Sequence, residues 1–142
     1  MKLCLLMVAL VACVVSFGCQ MANLRPDEER LTPARSREIS DVPVPSGFKW
    51  DLKRSYYNTD NTAGLRTGYA TYTGHASLKA LIDFYKDNMP ISGWALVSES
   101  GQKGSYTMGF EKGSERIDVR LTPDVFSTDV GVFFWPRGST KK

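Results

Sequence analysis

Apolar and polar side chains alternate along short segments in the second half of the chain. In residues 106–111 and 116–121 every second side chain is large and apolar, and residues 130–134 follow the same pattern. A period of two is typical of a β-strand that buries one face. Weaker alternation and segments rich in Thr and Tyr continue the pattern toward the N-terminus. The predicted strands cover residues 48–53, 65–73, 94–98, 106–111, 116–121 and 128–135.

One helix is predicted between the second and third of these strands. Ser77 is a favoured N-cap residue, because its hydroxyl can accept a hydrogen bond from a backbone N–H group of the first turn. Pro90 ends the helix, and Gly93 releases the chain into the next strand. The apolar residues at helical spacing between these signals are Leu78, Leu81, Ile82, Tyr85 and Met89.

These elements predict an α+β fold. Strands with one apolar and one polar face fit an antiparallel sheet that is solvated on one side. A helix of this length covers the other side, which gives two layers. The expected architecture is therefore a two-layer sandwich with one helix packed on a mainly antiparallel sheet, in the order β-β-α-β-β-β-β. The hairpin formed by residues 106–111 and 116–121 has the cleanest alternation.

The N-terminal residues are predicted to form an export signal. In residues 1–18 only Lys2, Ser16 and Gly18 fall outside the apolar set, and a basic residue before a short apolar run is typical of a secretory signal peptide. The apolar run is too short to span a bilayer comfortably. Cys19 follows directly after the small Gly18, which resembles the lipobox of bacterial lipoproteins. Cys13 is the alternative lipidation site.

The lipobox resemblance implies a membrane location. A thioether-linked and acylated cysteine holds a protein on a lipid bilayer, because each buried methylene contributes about 0.8 kcal/mol. Gln20 is not the aspartate that retains such proteins at the inner membrane in the family's sorting rule. The resemblance therefore implies an anchor in the outer membrane, on its periplasmic face.

Composition divides the rest of the chain. Residues 20–45 are rich in proline and in charges of both signs, and their apolar residues are scattered. The expected organisation is a signal peptide at 1–18, a lipidated cysteine with a flexible tether at 19–45, an α+β domain at 46–136, and a disordered tail at 137–142.

A longer motif joins the predicted helix to the third strand. The segment Phe84-Tyr85-Lys-Asp-Asn-Met89-Pro90-Ile-Ser-Gly93-Trp94, with Val42–Gly47 and Tyr72–Gly74, resembles a group of small bacterial lipoproteins of unassigned function that share an F-Y-x-x-x-M-P-x-x-G-W segment. The similarity extends over residues 42–136. This resemblance implies a fold and a cellular location, but it implies no biochemical activity. The layout is also similar to the helix-grip domains of lipoproteins of outer-membrane protein assembly.

The residue inventory argues against catalysis. The three cysteines all lie at or before position 19, and His75 is the one histidine. No serine lies in a nucleophile-elbow context, and Asn58, Asp60 and Asn61 fit a turn better than a cation loop. We therefore expect no enzyme activity, no metal and no cofactor. An exported protein meets little nucleic acid, and the net charge is only +2 once the leader with Lys2 is removed, so we expect no nucleic-acid partner.

Aromatic residues are the remaining candidates for function. Strand alternation places some of them on the outer side of the sheet, where grouped aromatics form contact surfaces. The candidate contact residues are Tyr57, Tyr69, Phe133 and Trp135. The expected function is a non-catalytic interaction module of the cell envelope, with an envelope protein as partner. The alternative is a carrier or sensor that binds a small amphipathic ligand between helix and sheet.

Overall fold

The computed structural model describes residues 30–34, 39–59 and 64–136. Two short 3-10 turns, Leu52–Arg54 and Pro90–Ser92, accompany the regular elements. The elements are β1 (Pro33–Ala34), β2 (Val44–Pro45), β3 (Lys49–Trp50), β4 (Tyr56–Thr59), β5 (Arg66–Gly74), α1 (Leu78–Asn88), β6 (Ala95–Gln102), β7 (Ser105–Lys112), β8 (Glu115–Pro123) and β9 (Thr128–Pro136).

The main sheet has seven strands in the order β3-β5-β9-β8-β7-β6, and β4 also pairs with β5. Each pairing in it is antiparallel. The predicted hairpin is the β7–β8 pair, with Met108 opposite Val119. The α+β class, with one helix on a mainly antiparallel sheet, is confirmed.

The core lies between α1 and the face of the sheet that points toward it, here called the inner face. Alternate residues of the central strands are buried there, because successive side chains of a strand point to opposite faces. Ala80, Leu81, Phe84 and Tyr85 form the buried side of α1. The buried inner-face residues of β5, β7, β8 and β9 are Ala70, Tyr72, Met108, Phe110, Ile117, Val119, Leu121, Val130, Val132 and Phe134.

Both ends of α1 are formed as predicted. The Ser77 hydroxyl accepts a hydrogen bond from the backbone N–H of Ala80. The helix ends at Asn88, and Gly93 takes a left-handed conformation with φ of +84°. The backbone N–H of Trp94 then bonds to the carbonyl of Met89 at 3.1 Å. The indole of Trp94 is thereby buried against the end of the helix.

The first predicted strand, 48–53, is shorter in the structure. The Asp51 carboxylate accepts hydrogen bonds from the backbone N–H groups of Lys53 and Arg54, so the chain leaves the sheet in a 3-10 turn after Trp50. It returns as β4, a strand that the sequence pattern did not predict. Gly68 permits this return, since a Cβ there would lie 2.1 Å from the carbonyl oxygen of Tyr56 and φ is +121°.

The predicted tether also ends earlier than expected. Residues 39–45, called the strap below, belong to the folded body rather than to a flexible linker. Ile39, Val42 and Val44 are almost completely buried in the core. At the end of the strap, β2 pairs with β1. The scattered apolar residues of this segment pack individually, which a search for periodic patterns does not detect.

The sheet has a long exposed strand at one side. All eight residues of β6 are exposed, and its register with β7 shifts between Leu96 and Ser98. A β-bulge at Val97 accounts for that shift. A two-residue turn, Lys103–Gly104, joins β6 to β7 with positive φ at both positions, as tight hairpins require.

Several predictions concern residues outside the described part of the chain. These are the signal peptide at 1–18, the lipidation sites Cys19 and Cys13, the tail at 137–142, and Asp60 and Asn61 of the rejected cation loop. Within the described ranges, no helix has the length and apolar character needed to cross a bilayer.

Candidate functional site

The helix–sheet interior contains polar groups in an apolar setting. Tyr85 lies in the last turns of α1 and is completely buried. Among the described residues its hydroxyl has no hydrogen-bond partner, and neither has the indole N–H of Trp50. The Trp50 ring meets the Tyr72 ring edge-on, with centroids 5.4 Å apart. The Tyr85 hydroxyl on α1 and the Trp50 indole N–H on β3 are therefore two hydrogen-bond donors within the same core.

Burial determines the ionisation state of Tyr85. Removal from water raises the pKa of its hydroxyl far above the usual range, and the neighbouring Tyr72 adds to the effect. The phenol therefore stays protonated. A buried hydroxyl without a partner costs about 1–3 kcal/mol, and most such groups in folded proteins are paired. The Tyr85 hydroxyl is thus a neutral donor without a partner among the described residues.

A charged cluster lies at one end of this interior. Arg66 begins β5 and Glu115 begins β8, and Trp94 follows the C-terminal end of α1. The Arg66 guanidinium donates to both oxygens of Glu115, at 2.8 and 2.6 Å. It also forms a two-point pair with the Asp41 carboxylate. The ammonium of Lys112 donates to Asp41 at 3.1 Å.

Aromatic rings complete the cluster. The Arg66 guanidinium lies 5.1 Å from the centroid of Phe134 and 5.6 Å from that of Trp94. Lys112 lies 5.5 Å from Trp94. The indole N–H of Trp94 donates to the backbone carbonyl of Asp41 at 2.9 Å. Asp41 is therefore bonded through both its side chain and its main chain.

The electrostatics of the cluster favour the charged forms of Asp41 and Arg66. Partial burial alone would raise the pKa of Asp41, but its hydrogen bonds to Arg66 and Lys112 outweigh burial and lower that pKa below its usual value. Burial alone would likewise lower the pKa of Arg66, and its bonds to Glu115 and Asp41 raise it instead. Both carboxylates are engaged by Arg66, so the cluster acts as a clamp between the strap and the sheet.

The structure divides the four predicted contact residues between two faces. Tyr69 and Phe133 are directly opposed on the outer face, with ring centroids 6.2 Å apart, and Trp135 has the same parity on β9. Tyr57 lies on the inner face instead, 5.3 Å from the ring of Phe134. The 3-10 turn before β4 decides which of two adjacent tyrosines faces outward.

Tyr56 is an outer-face aromatic that is not among the four predicted contact residues. It pairs with Tyr69 and is 62% exposed. The guanidinium of Arg120 lies 5.1 Å from the centroid of Phe133. The outer face thus carries an aromatic strip, defined as Tyr56, Tyr69, Phe133 and Trp135.

The other polar candidates do not come together. His75 is exposed just before α1. Within residues 30–34, 39–59 and 64–136, no three His, Cys, Asp or Glu side chains are grouped so that they could hold a metal ion.

In this fold a helix packs on one face of an antiparallel sheet, and polar groups are buried between them. A comparison with protein families agrees with this fold. A family described as START domain-like matches residues 54–131. The chain belongs to this START domain-like family. The matched range contains β4 to β8, α1 and part of β9, and it begins after the strap.

Two relatives are uncharacterized proteins of Archaeoglobus fulgidus. One is 29% identical over 90 residues, which are 63% of this chain and 31% of the relative. The other is 28% identical over 71 residues, which are 50% of this chain and 78% of the relative. The aligned part thus spans about a third of the length of the first relative. No solved structure matches the chain.

The clamp predicts a specific pH dependence of stability. Because the folded-state pKa of Asp41 lies below its ordinary value of 3.8, the ion pairs stabilise the fold fully above that pH. This stabilisation is lost as the pH falls through the folded-state pKa. At pH 7 we expect Asp41→Asn to lower the free energy of unfolding by about 1–2 kcal/mol. Urea denaturation at several pH values measures this. A difference between the two proteins that persists undiminished at pH 2.5 would contradict the clamp.

Proposed function

We propose that the START-like domain binds a small, mainly apolar ligand between α1 and the sheet, as a carrier or sensor. The observation that carries this proposal is the Tyr85 hydroxyl, which is buried in an apolar core without a partner among the described residues. Membership of the START domain-like family supports a binding role for the same interior.

The chemistry of the interior indicates the class of ligand. Tyr85 stays neutral and offers one O–H donor, and Trp50 offers one N–H donor. The surrounding buried residues are aliphatic or aromatic. A charged head group would pay a large desolvation cost in such a site. The ligand that fits is an apolar molecule with a neutral acceptor, such as a ketone, an ester or an amide.

We also propose that this domain is exported and anchored by a lipid at Cys19, on the periplasmic face of an outer membrane. Support comes from the sequence, where Cys19 follows an apolar leader and a small residue. A non-catalytic domain placed there would meet apolar molecules released from the bilayer.

A second function is favoured by the outer face. The aromatic strip lies on the side of the sheet away from α1, and Tyr56 and Tyr69 are well exposed. Exposed aromatic groups of this kind suit a protein partner. We propose that an envelope protein contacts this strip while the interior holds the ligand.

Replacing Tyr85 by Phe separates ligand binding from folding. Removing an unpaired buried hydroxyl should leave the free energy of unfolding unchanged or raise it by up to about 1 kcal/mol. The same change should weaken binding of Nile red, a neutral apolar dye with a carbonyl acceptor, by roughly fivefold or more. Fluorescence titration of the purified protein measures the affinity, and urea denaturation measures the stability.

Tyr106→Phe is the matched control for that experiment. The Tyr106 hydroxyl is bonded to Glu99 at the sheet's β6 side, so its removal should leave the dye affinity unchanged. If the Tyr85→Phe variant and the unchanged protein bind Nile red with equal affinity, the Tyr85 hydroxyl does not contact the ligand. Failure of the dye to bind either protein would argue against an apolar interior site.

Lipid attachment is tested at the proposed anchor. In bacteria grown with a labelled fatty acid, the unchanged protein should carry the label, and Cys19→Ser should lose it because the acceptor thiol is gone. Mass spectrometry of the mature N-terminus identifies the modified residue. If Cys19→Ser retains the label and Cys13→Ser loses it, Cys13 is the lipidated residue instead.

The outer face is tested by photo-crosslinking in cells. A photoreactive amino acid at Tyr69 or Phe133 should capture the same envelope protein. At Tyr57, which packs against Phe134 on the inner face, it should capture none. Gel mobility and peptide mass spectrometry report the products. Equal capture from all three positions would show non-specific contact.

A further inference from the structure

We propose that the strap, residues 39–45, is a closure over the end of the helix–sheet interior, and that its release from Arg66 and Lys112 admits the ligand. This inference rests on the proposed ligand-binding function. It assigns to the strap a role that neither the fold class nor the family match contains, because the matched residues begin at position 54.

The position of the strap supports a closing role. Its side-chain and main-chain contacts join the first residue of β5, the last residue of β7 and Trp94 after α1. These points belong to the same end of the sandwich. Ile39, Val42 and Val44 belong to the buried core, whereas Ser40 is exposed. The strap therefore covers apolar surface at this end with three side chains.

The polar contacts that fasten the strap are concentrated on one residue. Asp41 accepts hydrogen bonds from Arg66 and Lys112 through its carboxylate, and from Trp94 through its carbonyl. The segment itself forms a two-residue pairing, β1 with β2. Because the strap has little regular structure and one anchoring carboxylate, its opening exposes its three apolar side chains but breaks none of the backbone hydrogen bonds of the main sheet.

The remaining partners keep the sheet intact when the strap is released. Arg66 holds the carboxylate of Glu115 through its side chain and its backbone N–H group. It also stays in contact with the ring of Phe134. Lys112 stays beside the ring of Trp94. Loss of the Asp41 charge therefore leaves neither cation buried without a partner, so the change removes contacts between the strap and the sheet and none within the sheet.

The test combines hydrogen exchange with dye uptake on the purified protein. Asp41→Asn keeps the shape of the side chain and removes its charge, and Lys112→Gln is a milder change at the same contact. Asp83→Asn is the matched control, because Asp83 forms an exposed ion pair with Lys79 on α1. Mass spectrometry follows amide exchange in residues 39–45 and in β7 and β8. Stopped-flow fluorescence follows the association of Nile red.

We expect exchange in the strap to be roughly tenfold faster in Asp41→Asn, whereas β7 and β8 should remain far slower than the strap and accelerate no more than the loss of global stability requires. Dye association should accelerate by a similar factor, Lys112→Gln should show a smaller effect, and Asp83→Asn none. Dye that binds at an unchanged rate while the strap exchanges faster would overturn the closure. Exchange in β7 and β8 that is as fast as exchange in the strap would overturn local release. Dye that binds no variant would instead remove the proposed function on which the closure rests.

Discussion

The area of apolar sheet that must be covered governs this structure. Six strands side by side are separated by five spacings of about 4.8 Å, so the inner face is roughly 25 Å wide. The 11 residues of α1 form a cylinder about 16 Å long and about 10 Å across. The helix therefore leaves part of the inner face uncovered. Trp94 and Phe48 cover some of the remainder, and the strap covers the end where the helix stops.

The strap is an irregular segment, so side-chain contacts have to hold it over the apolar face of the sheet. Regular elements hold themselves in place through repeated backbone hydrogen bonds, but the strap has only the short β1–β2 pairing. The multiple donors of Arg66 provide a substitute, since one guanidinium bonds to the strap through Asp41 and to the sheet through Glu115. The planar fork of arginine makes such double pairing possible. The sheet, the end of the helix and the strap thus meet at one cation.

The strands and the helix could be predicted because their periods are local properties of the backbone. The cap at Ser77 and the stop at Pro90 are local as well, and both are found where the sequence placed them. Tyr56 and Tyr57 show the limit: as neighbours in a strand they must face opposite ways, but the parity is set by a turn outside the strand. The strap has no period at all. The isolated hydroxyl of Tyr85 depends on what surrounds it in three dimensions, which no local pattern records.

The bulge in β6 has a consequence for how this sheet meets other chains. An exposed edge strand offers its backbone groups to any extended peptide, and regular edges invite growth of the sheet from one molecule to the next. At Val97 the extra residue changes the direction of the strand. A straight peptide can therefore align with Ser98–Gln102 or with the two residues before the bulge, but not with both. One inserted residue therefore limits the pairing of this edge strand with other chains, a role that a row of charged side chains has in other sheets.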